Sequence, residues 1–111
     1  KNLNFNKNKL KKIYFQTFKN LNSLNNLILI KNHIVKIEVG SFQNLTYLKE
    51  LYLNKNRLRK LDMNLFEKLE NLEILDLSNN RLESLRSNLF VKLSNLKFLN
   101  LNSNRIRKVY N

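Results

Sequence analysis

Cysteine and proline are absent from the 111 residues, and glycine and histidine occur once each, as Gly40 and His33. Without cysteine there is no disulfide staple, no thiolate nucleophile and no thiolate metal site. The near absence of glycine and proline leaves no recognisable linker, so no internal domain boundary is expected. The longest wholly apolar run, Leu27 to Ile30, is four residues. A membrane helix needs about 20, so no transmembrane segment is expected in this stretch. No initiating methionine, signal peptide or processing site is visible. With one histidine and no acidic pair recurring at a catalytic or ligating spacing, no catalytic residue, metal or cofactor is expected. Acids are scarce too: 8 Asp+Glu against 21 Lys+Arg give a net charge of +13. That excess favours anionic partners through long-range attraction without specifying them.

What is present is a repeat. Leu24, Leu48, Leu72 and Leu96 stand 24 residues apart with no insertion or deletion, and each opens a similar string. LNNLILIKNHI, LKELYLNKNRL, LEILDLSNNRL and LKFLNLNSNRI follow one another, and Leu3, Phe5, Asn8 and Leu10 fall in the same phase. A period of this length signals a solenoid, in which each unit buries its apolar face against its neighbours. The chain divides into a partial copy (1–23), full copies 24–47, 48–71 and 72–95, and a partial copy 96–111. Both terminal copies look like interior ones rather than polar caps, so the chain reads as a piece of a longer array.

Within a copy, positions are numbered from the leading leucine. The first half alternates apolar and other residues with period two, which predicts a short strand, and stacking would make these strands a parallel sheet. Position nine is asparagine in every copy: Asn8, Asn32, Asn56, Asn80 and Asn104. A carboxamide offers two donors and an acceptor, so a column of them at a bend can satisfy backbone groups of adjacent turns. In the second half, Phe18, Phe42, Phe66 and Phe90 recur at position 19, with a leucine three residues later. That spacing predicts an irregular path, a 3-10 turn or a short helix, with the phenylalanines stacked as core.

The pattern LxxLxLxxNxL, with Phe at 19 and Leu at 22, resembles the typical leucine-rich repeat of animal extracellular proteins. Toll-like receptors, Slit-like guidance proteins, small leucine-rich proteoglycans and neuronal adhesion proteins carry it. The chain departs from that class at position 15, where proline is frequent and Tyr14, Glu38, Asp62, Arg86 and Tyr110 stand. The resemblance implies an α/β solenoid with parallel strands on its concave face and irregular or short helical convex segments. It also implies a protein-binding role in a secreted or receptor ectodomain. A cytoplasmic repeat scaffold is the alternative, since fold does not fix function.

Two features of the strand half are candidate binding elements. Positions eight and ten give Lys7, Lys31 and Lys55, and Lys9, His33, Arg57, Arg81 and Arg105. With strands about 4.8 Å apart these would form two basic columns along one sheet edge. Like charges about 5 Å apart repel by about 0.8 kcal/mol per pair even in water, so the fold gains nothing from them. Such a track suits a sulfated glycosaminoglycan or another polyanion. Nucleic acid ranks lower, because base-stacking aromatics are not interleaved with the basic columns. The second feature is apolar. Ile28, Ile30 and Tyr52, and then Ile74 and Phe98, occupy strand positions that should face solvent, where aromatic and aliphatic clusters anchor protein partners. Asn44-Leu45-Thr46 is an N-glycosylation sequon, which places a candidate glycan on Asn44.

Overall fold

The computed structural model describes residues 1–110. Five three-residue strands, β1 (Asn2–Asn4), β3 (Asn26–Ile28), β5 (Glu50–Tyr52), β6 (Ile74–Asp76) and β8 (Phe98–Asn100), line up in that order as one parallel sheet. Every pairing is offset by 24 residues, for example Leu27 with Leu51 and Leu51 with Leu75. A residue is therefore the spatial neighbour of its counterpart in the next copy. Beyond the strands the ladder continues without a gap. The N–H groups of Phe5, Leu29, Leu53 and Leu77 reach the carbonyls of Ile28, Tyr52, Asp76 and Asn100 at 2.8–2.9 Å.

Alternation places Leu27, Leu51 and Leu75, with Leu29, Leu53 and Leu77, fully inside. The leading leucines Leu48 and Leu72 and the position-11 residues Ile34, Leu58 and Leu82 join them. Equivalent residues of the outer coils, Leu3, Leu10, Leu99, Leu101 and Ile106, are only partly buried. The four phenylalanines form a column opposite the sheet, with successive centroids 6.2–6.3 Å apart and interplanar angles of 6–19°.

The bend after each strand is left-handed. Lys7, Lys31, Lys55, Asn79 and Ser103 all have φ between 55° and 60°. The asparagine that follows ties the bend down. Asn56 Nδ2 donates to the carbonyls of Leu29 (2.9 Å) and Leu53 (3.0 Å), while its Oδ1 accepts from the Ile34 N–H (3.1 Å). Asn32, Asn80 and Asn104 repeat this arrangement, each joining two or more copies. Asn8 is exposed and bonds only to Phe5 and Asn6 of its own copy.

The return path contains no helix among the described residues, so of the alternatives above the irregular one is adopted. Isolated turns carry it. The Leu45 N–H donates to Phe42, and the Leu48 N–H donates to Leu45, at 3.0–3.1 Å. Three-residue spacing brings each apolar side chain inward by one such turn. The segment is too short to recover the cost of nucleating a helix.

A further element was not foreseen. At positions 13–15 the chain forms strands again: β2 (Lys12–Ile13) pairs β4 (Lys36–Ile37), and β7 (Ser84–Arg86) pairs β9 (Lys108–Tyr110). The third copy, around Lys60 to Asp62, forms no strand there, so this back edge is interrupted. At the end of this unpaired stretch Asp62 Oδ1 accepts the Asn64 N–H at 2.9 Å, a local side-chain turn. The corresponding Glu38 carboxylate instead reaches across to the Phe15 N–H (2.9 Å), leaving its own N–H to pair with Ile13 (3.0 Å).

Candidate functional site

The solvent-facing rows of the sheet follow directly from the register. One row runs Asn2, Asn26, Glu50, Ile74, Phe98, and the next runs Asn4, Ile28, Tyr52, Asp76, Asn100. Ile28 therefore lies beside Tyr52, with Ile30 two residues on, and Ile74 lies beside Phe98. Ile28, Ile30, Tyr52 and Ile74 are half-buried, whereas Phe98 is 53% exposed. The five apolar residues form two groups rather than one. Glu50 stands beside Ile74 in the first row and Asp76 beside Tyr52 in the second, and sequence reasoning passed over both acids. The register alone could have found them, because they are the position-3 and position-5 residues of consecutive copies.

Tyr52 links the apolar and acidic parts. Its hydroxyl donates to Glu50 Oε1 at 2.6 Å. That hydrogen bond, reinforced by burial and by the nearby charges of Glu50 and Asp76, pushes the phenol pKa up to about 12. Asp76 is held in turn: its Oδ1 accepts the Ser78 N–H (2.9 Å) and hydroxyl (2.7 Å). Asn4 and Asn100 accept the N–H two residues on in the same way. Where position five is Ile28, the Ile30 N–H turns to Asn6 Oδ1 of the preceding copy (3.0 Å). Beside Tyr52, Asn54 Oδ1 is the one buried side-chain polar atom among the described residues that has no partner.

The basic columns lie at the end of the strands. Position-ten N–H groups of His33, Arg57, Arg81 and Arg105 each donate to the position-11 carbonyl of the preceding copy at 2.8–2.9 Å, which sets Lys9, His33, Arg57, Arg81 and Arg105 in one file. His33 and Arg81 are half-buried, and Lys9, Arg57 and Arg105 are exposed. Lys7, Lys31 and Lys55 sit on the left-handed corner itself, all exposed. Among the described residues the one ion pair is Lys97 with Glu73 (3.5 Å), at the other end of the strands. The two columns are thus unneutralised. Asn44 is half-buried, and its Nδ2 donates to the Lys19 carbonyl at 3.2 Å, a bond that a glycan there would have to replace.

No group of three or more His, Asp or Glu side chains that could hold a metal occurs among the described residues, and no helix is long and apolar enough to cross a membrane. In-register leucine strands, an asparagine spine and a phenylalanine column together define a repeat solenoid with an open strand face. The chain belongs to the leucine-rich repeat family, whose pattern matches residues 1–58, 22–80 and 46–106. A search of the curated proteins found no match. Among solved structures the chain is similar to one described as the crystal structure of the TLR13-ssRNA13 complex, with a TM-score of 0.84 and 30% identity. That likeness covers 98% of this chain and 18% of the other. It is also similar to the leucine-rich repeat domain of APL1B, with a TM-score of 0.91 and 30% identity over 94% of this chain and 32% of that one. The chain therefore spans less than a third of the length of either structure.

Proposed function

We propose that the strand face is a non-catalytic protein-binding surface of a secreted or receptor ectodomain. The observation that carries this reading is the pairing of Ile28 with Tyr52 and Ile74 with Phe98 on a face otherwise lined by polar side chains. Apolar anchors within a polar surround are the composition of an interface, and Phe98 has the exposure such an anchor needs. The basic file beside it steers acidic partners, while Glu50 and Asp76 select against a purely anionic one. Extracellular placement is supported by the likeness to TLR13 and by the sequon at Asn44. A signal peptide in the complete reading frame agrees with it, and a cytoplasmic leader-free protein would refute it.

The test is capture from extracellular fluid by the wild-type chain and by Tyr52→Ala and Phe98→Ala. The partner should be lost with both variants while circular dichroism is unchanged. Retention by both would remove the strand face as the binding surface.

A second reading is polyanion binding along the file Arg57, Arg81 and Arg105, with Lys7, Lys9, Lys31, His33 and Lys55. The aligned, unneutralised cations favour it, and the solved structure of TLR13 is described as holding ssRNA13. Against nucleic acid stands the acidic pair Glu50 and Asp76 at the centre of the face. Retention on heparin that survives more salt than on a cation exchanger of equal charge, lost when Lys55, Arg57 and Arg81 are neutralised, supports this reading. Elution at equal salt counts against it.

A further inference from the structure

The interruption of the back edge opens a groove. Between β4 and the unpaired residues 59–62 lies a space of about 690 Å³, within the roughly 300–1,000 Å³ range of ligand-binding clefts. Across this seam the Arg57 N–H still reaches the Ile34 carbonyl (2.9 Å), but no backbone hydrogen bond joins residues 35–39 to residues 59–62. On the other side of β4, the Val35 and Glu38 N–H groups pair with Lys11 and Ile13 at 2.9 and 3.0 Å. The outer edge of β4 is thus a strand edge with no neighbour, facing a segment that sits where a strand is formed in four of the five copies.

The groove is apolar where the core would otherwise be closed. Val35 and Val39 are about half exposed, and Leu61 is half-buried although Ile13, Ile37 and Leu85 at the same position are buried. Its charge is mixed, with Lys36, Arg59 and Lys60 against Glu38 and Asp62, which leaves the cations in excess by one. The two acids at the groove are already engaged with backbone N–H groups, Glu38 with Phe15 and Asp62 with Asn64. Lys36, Arg59 and Lys60 form no ion pair among the described residues. Unpaired strand edges recruit extended chains, whose main-chain bonds give affinity and whose alternate side chains give selectivity.

We infer that this groove accepts an extended acidic segment of a partner protein, added as a strand against β4. The apolar side chains of the segment lie over Val35, Val39 and Leu61, and its carboxylates pair with Lys36, Arg59 and Lys60. A second copy of this chain is disfavoured by its own +13 charge, and its strand at this edge is itself basic, Lys36 beside Ile37. The site is separate from the strand face and does not depend on the reading given to it.

The probe is a fluorescein-labelled peptide of alternating Glu and Val, eight residues long, followed by anisotropy with the full chain. Saturable binding is expected. It should weaken at least tenfold for Lys36→Glu/Lys60→Glu and for the same peptide N-methylated at alternate residues, which removes strand donors without touching the protein. Asp62→Val removes the side-chain turn, lets residues 60–62 close on β4, and should also weaken binding while leaving or raising the melting temperature. Tyr52→Ala should bind the peptide as wild type does. Equal affinity for the N-methylated peptide, equal affinity of a Lys-Val peptide, no saturable binding, or dimerisation of the chain through this edge would each overturn the inference.

Discussion

The strand face and the back edge of this solenoid obey the same 24-residue register, yet one is a continuous five-stranded sheet and the other is two strand pairs with a gap. The difference lies in what each copy offers locally. On the strand face, buried leucines on either side of each outward residue hold the backbone flat, and the asparagine spine stitches copy to copy. At the back edge only position 14 is anchored inside, and only in three of the copies, as Ile13, Ile37 and Leu85. In the third copy the chain leaves this edge and turns locally, Asp62 onto Asn64. Continuity in a repeat protein is set by how many neighbours agree, not by the period.

Removing a spine residue from the continuous side should have the largest effect. Asn56→Ala deletes the bonds donated to Leu29, Leu53 and Asn54 and leaves the Ile34 N–H buried without a partner. A loss of about 2–3 kcal/mol in urea unfolding is expected. Asn8→Ala, at the exposed end of the spine, should lie within about 0.5 kcal/mol of wild type. Equal losses would show that the spine does not act through buried bonds. On the interrupted side, Gly40 has φ +85°, and a Cβ there would meet the Phe15 ring at 3.1 Å. Gly40→Ala should cost about 1–2 kcal/mol by the same measurement, most of it backbone strain. A neutral result would mean that this edge yields easily.

The corner joining the two regions offers a smaller change of opposite sign. Lys55 holds φ 60°, which asparagine tolerates better, and Asn79 already occupies the equivalent place. Lys55→Asn should stabilise by about 0.5 kcal/mol, read as a rise in the denaturation midpoint, and an unchanged or lower midpoint would count against corner strain. The last expectation concerns pH. Because folding raises the Tyr52 phenol to about 12, its contribution is fully present below pH 10 and is lost as pH rises from 10 toward 12. Ultraviolet titration of tyrosinate should show one late phenol, absent in Tyr52→Phe and shifted down in Glu50→Gln. A late phenol that persists in Tyr52→Phe would assign it elsewhere.

Much of the strand face could be read in advance. Period two within a strand and period 24 between strands suffice to place Ile28 against Tyr52 and Ile74 against Phe98. The same arithmetic puts Glu50 beside Ile74 and Asp76 beside Tyr52, a consequence visible only when the rows are read across copies as well as along the chain. The return path was less legible, because a Phe-x-x-Leu spacing suits a helical turn and a series of open turns equally. The second set of strands left no mark at all. Two or three residues such as Lys12–Ile13 carry no periodicity, and their pairing follows from being held beside the next coil.

From composition and spacing alone came the register, the leucine interior, and the positions of the asparagines and phenylalanines. These are statements about which residues recur, and in a solenoid recurrence along the chain is adjacency in space. Only the folded molecule decided where the left-handed corner falls, that Tyr52 is bound to Glu50, and that the back edge parts between Lys36 and Lys60. Those outcomes turn on competition between hydrogen bonds within a few ångströms, which no repeat length encodes.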